Sequence, residues 1–200
     1  MLYYEKKLRK LGVDCIIGVD EVGRGCLAGP VVAAAVCLRT HSFKNRIDDS
    51  KKLTPRQRET AYPEILAKSF FSVAAIDEKV IDRVNILRAT RMAMEEAIRS
   101  LCKKLGLESA SRVHVLVDGM MKLSVDLPVT EIVHGDARSL SIAAASIVAK
   151  VRRDRMMCLF HQMYPRYGFS RHKGYGTHAH RQAIRHWGPC AIHRNTFHCD

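Results

Sequence analysis

No part of this 200-residue chain approaches the roughly 18–20 consecutive apolar residues of a bilayer span, which excludes a membrane helix. The first ten residues mix Tyr, Glu, Lys and Arg and so lack the apolar core of a secretory signal. Its seven cysteines are odd in number and without framework spacing. Several (Cys15, Cys37, Cys102) sit inside apolar runs, as reduced and buried thiols do. A disulfide scaffold is excluded, and a cytoplasmic location is expected. Internal repeats, low-complexity tracts and linkers are also missing, so residues 1–200 are expected to form a single domain.

Acidic residues are in short supply. Against 33 Lys+Arg stand 20 Asp+Glu, a formal net charge of +13. From Lys150 to Asp200 there are ten Lys/Arg and two acids, with most of the ten histidines. Such a surplus draws a protein to polyanions, nucleic acid or an anionic membrane face, although a merely soluble basic protein would carry it too.

The hydrophobic patterning is that of an α/β protein. Residues 14–20 and 31–38 read as strands joined by a glycine-rich turn, and residues 70–76, 113–117 and 130–133 as three more. Thr54-Pro55 reads as a capped helix start. Residues 84–105 carry apolar side chains at helical spacing, and Gly106 ends that helix. A second long helix runs from Ser139 to about Met163, and small residues on every side of its first half predict burial against the sheet. Beyond it the chain turns basic and mobile-looking, with a short helix through Trp187. The expectation is a five-stranded mixed sheet flanked by helices. Residues 14–163 would form its core, and residues 164–200 a mostly helical, basic, substrate-binding extension.

Chemistry concentrates in Gly18-Val19-Asp20-Glu21-Val22-Gly23-Arg24-Gly25. Two adjacent carboxylates at the end of an apolar strand are costly unless paired or bound to metal. The glycine-flanked Arg24 suggests close approach to a phosphate. Asp118 ends the fourth strand, and Asp136 lies between the fifth strand and its helix. If strands one and four are neighbours, Asp20, Glu21, Asp118 and Asp136 converge, and their repulsion calls for cations. Oxygen ligands suit Mg²⁺ or Mn²⁺, and two such ions about 4 Å apart would bridge a scissile phosphate. Singly, Asp118-Gly119 also fits an ordinary turn and Asp136 a helix cap.

The run from Gly18 to Pro30 closely resembles the opening signature of bacterial type 2 ribonuclease H. The resemblance continues through Asp49-Ser50-Lys51-Lys52-Leu53, Val117-Asp118-Gly119 and Gly135-Asp136-Ala137-Arg138-Ser139. It takes in Ile142 to Val151, His172-Lys173-Gly174-Tyr175-Gly176-Thr177 and His193-Arg194-Asn195-Thr196-Phe197, and so covers residues 14–198 in order. It implies a ribonuclease H-like fold and an endonuclease that cuts RNA in RNA–DNA hybrids. It also implies incision 5′ to single ribonucleotides embedded in duplex DNA, leaving 3′-hydroxyl and 5′-phosphate ends. By motif, Asp20, Glu21, Asp118 and Asp136 would be the metal-binding catalytic acids, with two Mn²⁺ or Mg²⁺ ions during catalysis. Gly23, Arg24 and Gly25 would sense the 2′-hydroxyl, and Tyr175 would pack on the sugar across the RNA–DNA junction. Lys51, Lys52, Ser139 and Lys150 complete the expected substrate contacts.

Departures from that pattern are few. Cys26 replaces a common proline, and His134 and Arg138 replace common lysines. The related type 3 enzymes carry an added N-terminal domain, whereas here the signature begins within twenty residues. Cys190, His193, His198 and Cys199 could bind zinc by residue type, but their spacing is not that of a standard finger and the family needs none. Lys150, Arg152, Arg153 and Arg155 either track a phosphate backbone or form the solvated face of a helix. A monomer is the default, and the C-terminal residues show no clear sliding-clamp peptide. A non-catalytic hybrid binder would lack one of the four acids, and none is lacking; a DNA-only nuclease is disfavoured by the resemblance alone.

Overall fold

A computed structural model describes residues 1–107 and 112–197. Five strands, β1 (Cys15–Val22), β2 (Val31–Leu38), β3 (Ser69–Ile76), β4 (Val113–Asp118) and β5 (Val129–Ile132), form one sheet in the order β3-β2-β1-β4-β5. The β1–β2 and β2–β3 pairs are antiparallel, while β1–β4 and β4–β5 are parallel. The mixed sheet expected from the sequence is present, and β1 and β4 are neighbours.

Seven helices are described: α1 (Tyr3–Lys10), α2 (Pro55–Ala67), α3 (Glu78–Val84), α4 (Ile86–Leu105), α5 (Leu140–Met163), α6 (Phe169–His172) and α7 (His178–Trp187). Strand parity sorts the core into two layers. Val31, Ala33 and Ala35 of β2 pack with Ala93, Met94, Ala97 and Leu101 of α4 on one face. Ala34 and Val36 pack with Ile65 of α2 and Ala144, Ile147 and Val148 of α5 on the other. Every residue from Leu140 to Ala149 is buried, as the small-residue run predicts. Gly18 lets α5 press on β1, because a Cβ there would strike the Ser141 backbone.

Thr54 caps α2 with a full capping box, its hydroxyl accepting from the Gln57 amide and the Gln57 side chain from its own amide. The structure differs from the sequence reading at three places. The helix read over 84–105 is present as α4 but starts at Ile86, because Asn85, with a φ of 68°, separates it from the short α3, which the sequence reading did not include. α1 was not foreseen; it is held by Glu5, a fully buried carboxylate that accepts from Ser139 Oγ at 2.6 Å and from the Ser141 amide at 3.0 Å. The stretch beyond residue 164 is not loose: Tyr167, Phe169 and Ile192 pack with Ala28 and Met157. Single bridges also join Cys26 to Tyr175 and Ala28 to His193. No helix among the described residues is long and apolar enough to cross a membrane.

Candidate active site

Strand parity also decides which acids meet. In β1, Cys15, Ile17 and Val19 belong to the layer under α4, so Gly18 and Asp20 face α5. In β4, Val113, Val115 and Val117 belong to that same layer, so Asp118 shares the α5 face with Asp20. Val19 pairs with Val117 in parallel register, which sets Asp20 and Asp118 at neighbouring positions one residue further on. Asp136 sits in a 3₁₀ turn, Gly135–Ala137, just before α5. One oxygen from each of Asp20, Asp118 and Asp136 can be chosen so that all lie within 4.8 Å of one another. Glu21 has the opposite parity and stands outside this triad, where its carboxylate meets Arg24 at 3.4 Å.

The electrostatics are those of an under-compensated anionic cluster. Burial raises the Asp20 carboxyl well above the usual range, and the neighbouring Glu21 and Asp118 charges raise it further. Burial raises Glu21 and Asp136 as well; Asp118 adds to both, while Arg24 opposes at Glu21 and Lys51 at Asp136. Lys51 Nζ lies 3.8 Å from Asp136 Oδ2. Burial pulls its ammonium down, but Asp136, Asp20, Asp49 and Asp118 outweigh this and raise it. A set of hard carboxylate oxygens, without nitrogen or sulfur ligands, fits a divalent cation such as Mg²⁺ or Mn²⁺.

A cleft of about 180 Å³ opens over Asp20 and Glu21. The turn Gly23–Gly25 forms one wall, while Lys51, Lys150 and Tyr175 form the other sides. Gly23 has a φ of 97°, and its Cβ would strike the Arg153 side chain, so only glycine fits there. The Lys150 ammonium stands 5.7 Å from the centre of the Tyr175 ring and pairs with Asp154 at 2.8 Å.

Most of the residues singled out from the sequence meet here, but not all. Lys52 is exposed, near Asp48 at 3.9 Å, and does not line the cleft. Ser139 is fully buried as the N-cap of α5, its hydroxyl committed to Glu5. Arg153 is neither a phosphate tracker nor a solvated residue. It is fully buried and donates to the carbonyls of Pro30, Lys173 and Ala28 at 2.9, 2.8 and 3.1 Å. Arg155 pairs with Glu59 on the surface. In the zinc candidate, both ring nitrogens of His193 are engaged, Nδ1 by the Cys190 amide at 2.8 Å and Nε2 by His180 at 3.1 Å. No lone pair remains for a metal, and His198 and Cys199 lie outside the described residues.

Sequence reasoning missed Ser146, which lines the cleft, lies close enough to Asp20 to oppose the rise of its carboxyl, and bonds to Ser50 Oγ at 2.8 Å. Its signal was weak, one polar residue in the small-residue run of α5.

A mixed sheet carrying clustered aspartates at the ends of adjacent parallel strands, beneath a basic cleft, defines a metal-dependent nuclease. The sequence profile of the family Ribonuclease HII matches residues 17–199. A ribonuclease HII of Geotalea uraniireducens is 46% identical over 198 residues, covering 98% of this chain and 88% of that protein. The structure is similar to ribonuclease H2 of Pyrococcus horikoshii, with a TM-score of 0.72, 25% identity and coverage of 93% and 95% of the two chains. It also resembles Bst-RNase HIII, solved in complex with Mn²⁺, with a TM-score of 0.70, 19% identity and coverage of 95% and 69%. The chain belongs to the ribonuclease HII family. It is a ribonuclease H, a nuclease that hydrolyses RNA paired with DNA.

Proposed function

We propose that this enzyme incises duplex DNA 5′ to single embedded ribonucleotides, as well as cutting longer RNA–DNA hybrids, and leaves 3′-hydroxyl and 5′-phosphate ends. The observation that carries the reading is the convergence of Asp20, Asp118 and Asp136 within 4.8 Å beside a cleft walled by Gly23–Gly25 and Tyr175. Asp20, Asp118 and Asp136, with Glu21 at the rim, would hold divalent cations, Mg²⁺ or Mn²⁺, two of them during turnover. When bound, these supply water activation and charge neutralisation at the scissile phosphate.

The chain's own groups do the rest. Lys51 stays protonated and offsets part of the carboxylate charge until a phosphate arrives. Lys150 adds a second cation along the cleft. The amides of Arg24 and Gly25, in the turn that walls the cleft, donate to no described residue and would read the 2′-hydroxyl. The Tyr175 ring, 40% exposed, offers its flat face to the neighbouring deoxyribose. The basic C-terminal helices would extend contact with the duplex beyond the cleft.

The test is cleavage of a labelled duplex containing one ribonucleotide, with Mg²⁺, Mn²⁺ or chelator, beside an all-DNA control. Metal-dependent cutting confined to the 5′ side of the ribonucleotide is expected. Cutting of the all-DNA control, or binding without cutting, would overturn the reading.

A further inference from the structure

Two backbone carbonyls of the Gly-Arg-Gly turn, those of Gly23 and Arg24, point inward onto a single buried guanidinium. Arg194 is 2% exposed. Its Nη2 donates to Gly23 O at 2.7 Å and Gly29 O at 2.8 Å, its Nη1 to Arg24 O at 2.8 Å, and its Nε to Gly29 O at 3.0 Å. In a trans peptide the C=O and the following N–H point in opposite directions. Holding the carbonyls of Gly23 and Arg24 inward therefore turns the amides of Arg24 and Gly25 outward, towards the cleft. Those two amides donate to no described residue.

Packing alone gives no reason for an arginine at this position. No described carboxylate forms a salt bridge with it, and burial pulls its pKa down to about 10. An apolar side chain of similar volume would fill the space without burying a charge. What the guanidinium adds is a rigid fork that reaches three carbonyls at once. The fork is itself anchored from outside the site. Asp82 of α3 accepts from the Asn195 amide at 2.9 Å, the Thr196 amide at 3.0 Å and Thr196 Oγ1 at 2.7 Å, and the Arg194 amide donates to Leu27 O at 2.9 Å.

We propose that Arg194, tethered through Asp82, is a positioning residue that presets the Arg24 and Gly25 amides for the ribonucleotide, so that substrate selection depends on the C-terminal segment as well as on the turn. This rests on the reading of Gly23–Gly25 as the element that contacts the 2′-hydroxyl.

Three variants test it, with kinetics referred to folded enzyme. Arg194→Lys keeps the charge but not the fork. Its kcat/KM on a one-ribonucleotide duplex is expected to fall about tenfold, mainly through KM, as befits loss of charge-assisted hydrogen bonds. The metal concentration for half-maximal activity and the affinity for all-DNA duplex are expected to stay unchanged. Asp82→Asn leaves the guanidinium in place and should shift KM in the same direction by about two- to threefold, which keeps the proposal testable if the lysine variant does not fold. A purely structural role would lower the folded fraction and leave KM alone; unchanged KM in whichever of these variants fold overturns the proposal. Gly25→Ala tests the underlying reading, since its Cβ meets nothing within 4 Å in the fold yet intrudes beside the exposed amide. An impaired Gly25→Ala with a normal Arg194→Lys overturns the clamp alone. A Gly25→Ala enzyme with normal KM overturns the turn reading, and the clamp with it.

Discussion

The Gly135 amide donates to Asp118 Oδ1 at 2.6 Å, so the end of β4 and the turn carrying Asp136 are one unit. The bond, with Lys51 beside Asp136, explains how two carboxylates from separate segments stay close. Each is held by backbone geometry rather than by attraction to the other.

Asp118→Asn separates structure from chemistry at this point. An asparagine oxygen can keep the Gly135 bond, so the turn should hold while one charge of the triad is lost. Cleavage is expected to fall by at least about 10³-fold, the scale of losing metal-assisted charge stabilisation. Duplex affinity should change little. Without metal the variant should melt roughly 2–4 °C higher, because relief of repulsion is worth about 1 kcal/mol. Divalent ions should raise the melting temperature of the native enzyme and not that of the variant. Retained cleavage would remove Asp118 from the metal site.

Tyr175→Ala tests the other wall of the cleft. The ring contributes a face, supported by Lys150 at 5.7 Å, so Tyr175→Phe should keep most of its effect. A long hybrid offers many registers, whereas an embedded ribonucleotide offers one. Tyr175→Ala should therefore slow cutting at a single ribonucleotide about tenfold more than cutting of a hybrid, a difference near 1.4 kcal/mol. Equal losses on both substrates would undo the junction role.

How much of this was legible depended on range. A continuous apolar run set β2 at residues 31–38, and the acids at the ends of β1 and β4 marked the site. The alternation of side chains along β1 separates Asp20 from Glu21. Arg153 was misread because α5 is buried on nearly every side in its first half and shows no polar stripe to reveal which face its arginines take. The Arg194 contacts join residues about 170 apart, and no local pattern records them. The short α3 was not legible, because seven residues before Asn85 are too few to show a helical period.

Asn85 is itself a test of local strain. It ends α3 and caps α4, its Oδ1 accepting from the Arg88 amide at 3.0 Å, with φ 68° and ψ 165°. That backbone region is nearly confined to glycine. Asn85→Ala loses the cap and keeps the strain, so it should cost about 1–3 kcal/mol. Asn85→Gly loses the cap but relieves the strain, and should lie within about 0.5 kcal/mol of the native protein. Urea unfolding midpoints would show the gap; equal destabilisation by both would mean the conformation is not strained.

Three histidines beneath the Tyr175 turn make stability depend on acid. His180 Nδ1 donates to Tyr175 O at 2.9 Å, and its Nε2 accepts from His193 Nε2 at 3.1 Å. His193 Nδ1 accepts from the Cys190 amide at 2.8 Å. His172 accepts from the Gly174 amide at 3.2 Å through Nδ1 and donates from Nε2 to Tyr167 O at 2.7 Å. Each ring thus uses one proton, and a second on His180 would lack an acceptor, because its Nε2 faces the His193 N–H. Burial lowers all three, His180 to about 4, with the neighbouring rings and Arg181 pulling the same way against the Tyr175 carbonyl. Because the unfolded chain takes up protons first, this stability is complete above pH ~6.5 and is lost as the pH falls towards 4. The raised Asp20, Glu21 and Asp136 carboxyls act oppositely, since protonating them relieves repulsion. The informative quantity is therefore the difference between native and His180→Gln proteins at each pH. Between pH 7.5 and 4.5 the native protein should lose on the order of 2 kcal/mol more than the variant in urea unfolding. Parallel profiles would show that His180 carries no proton linkage.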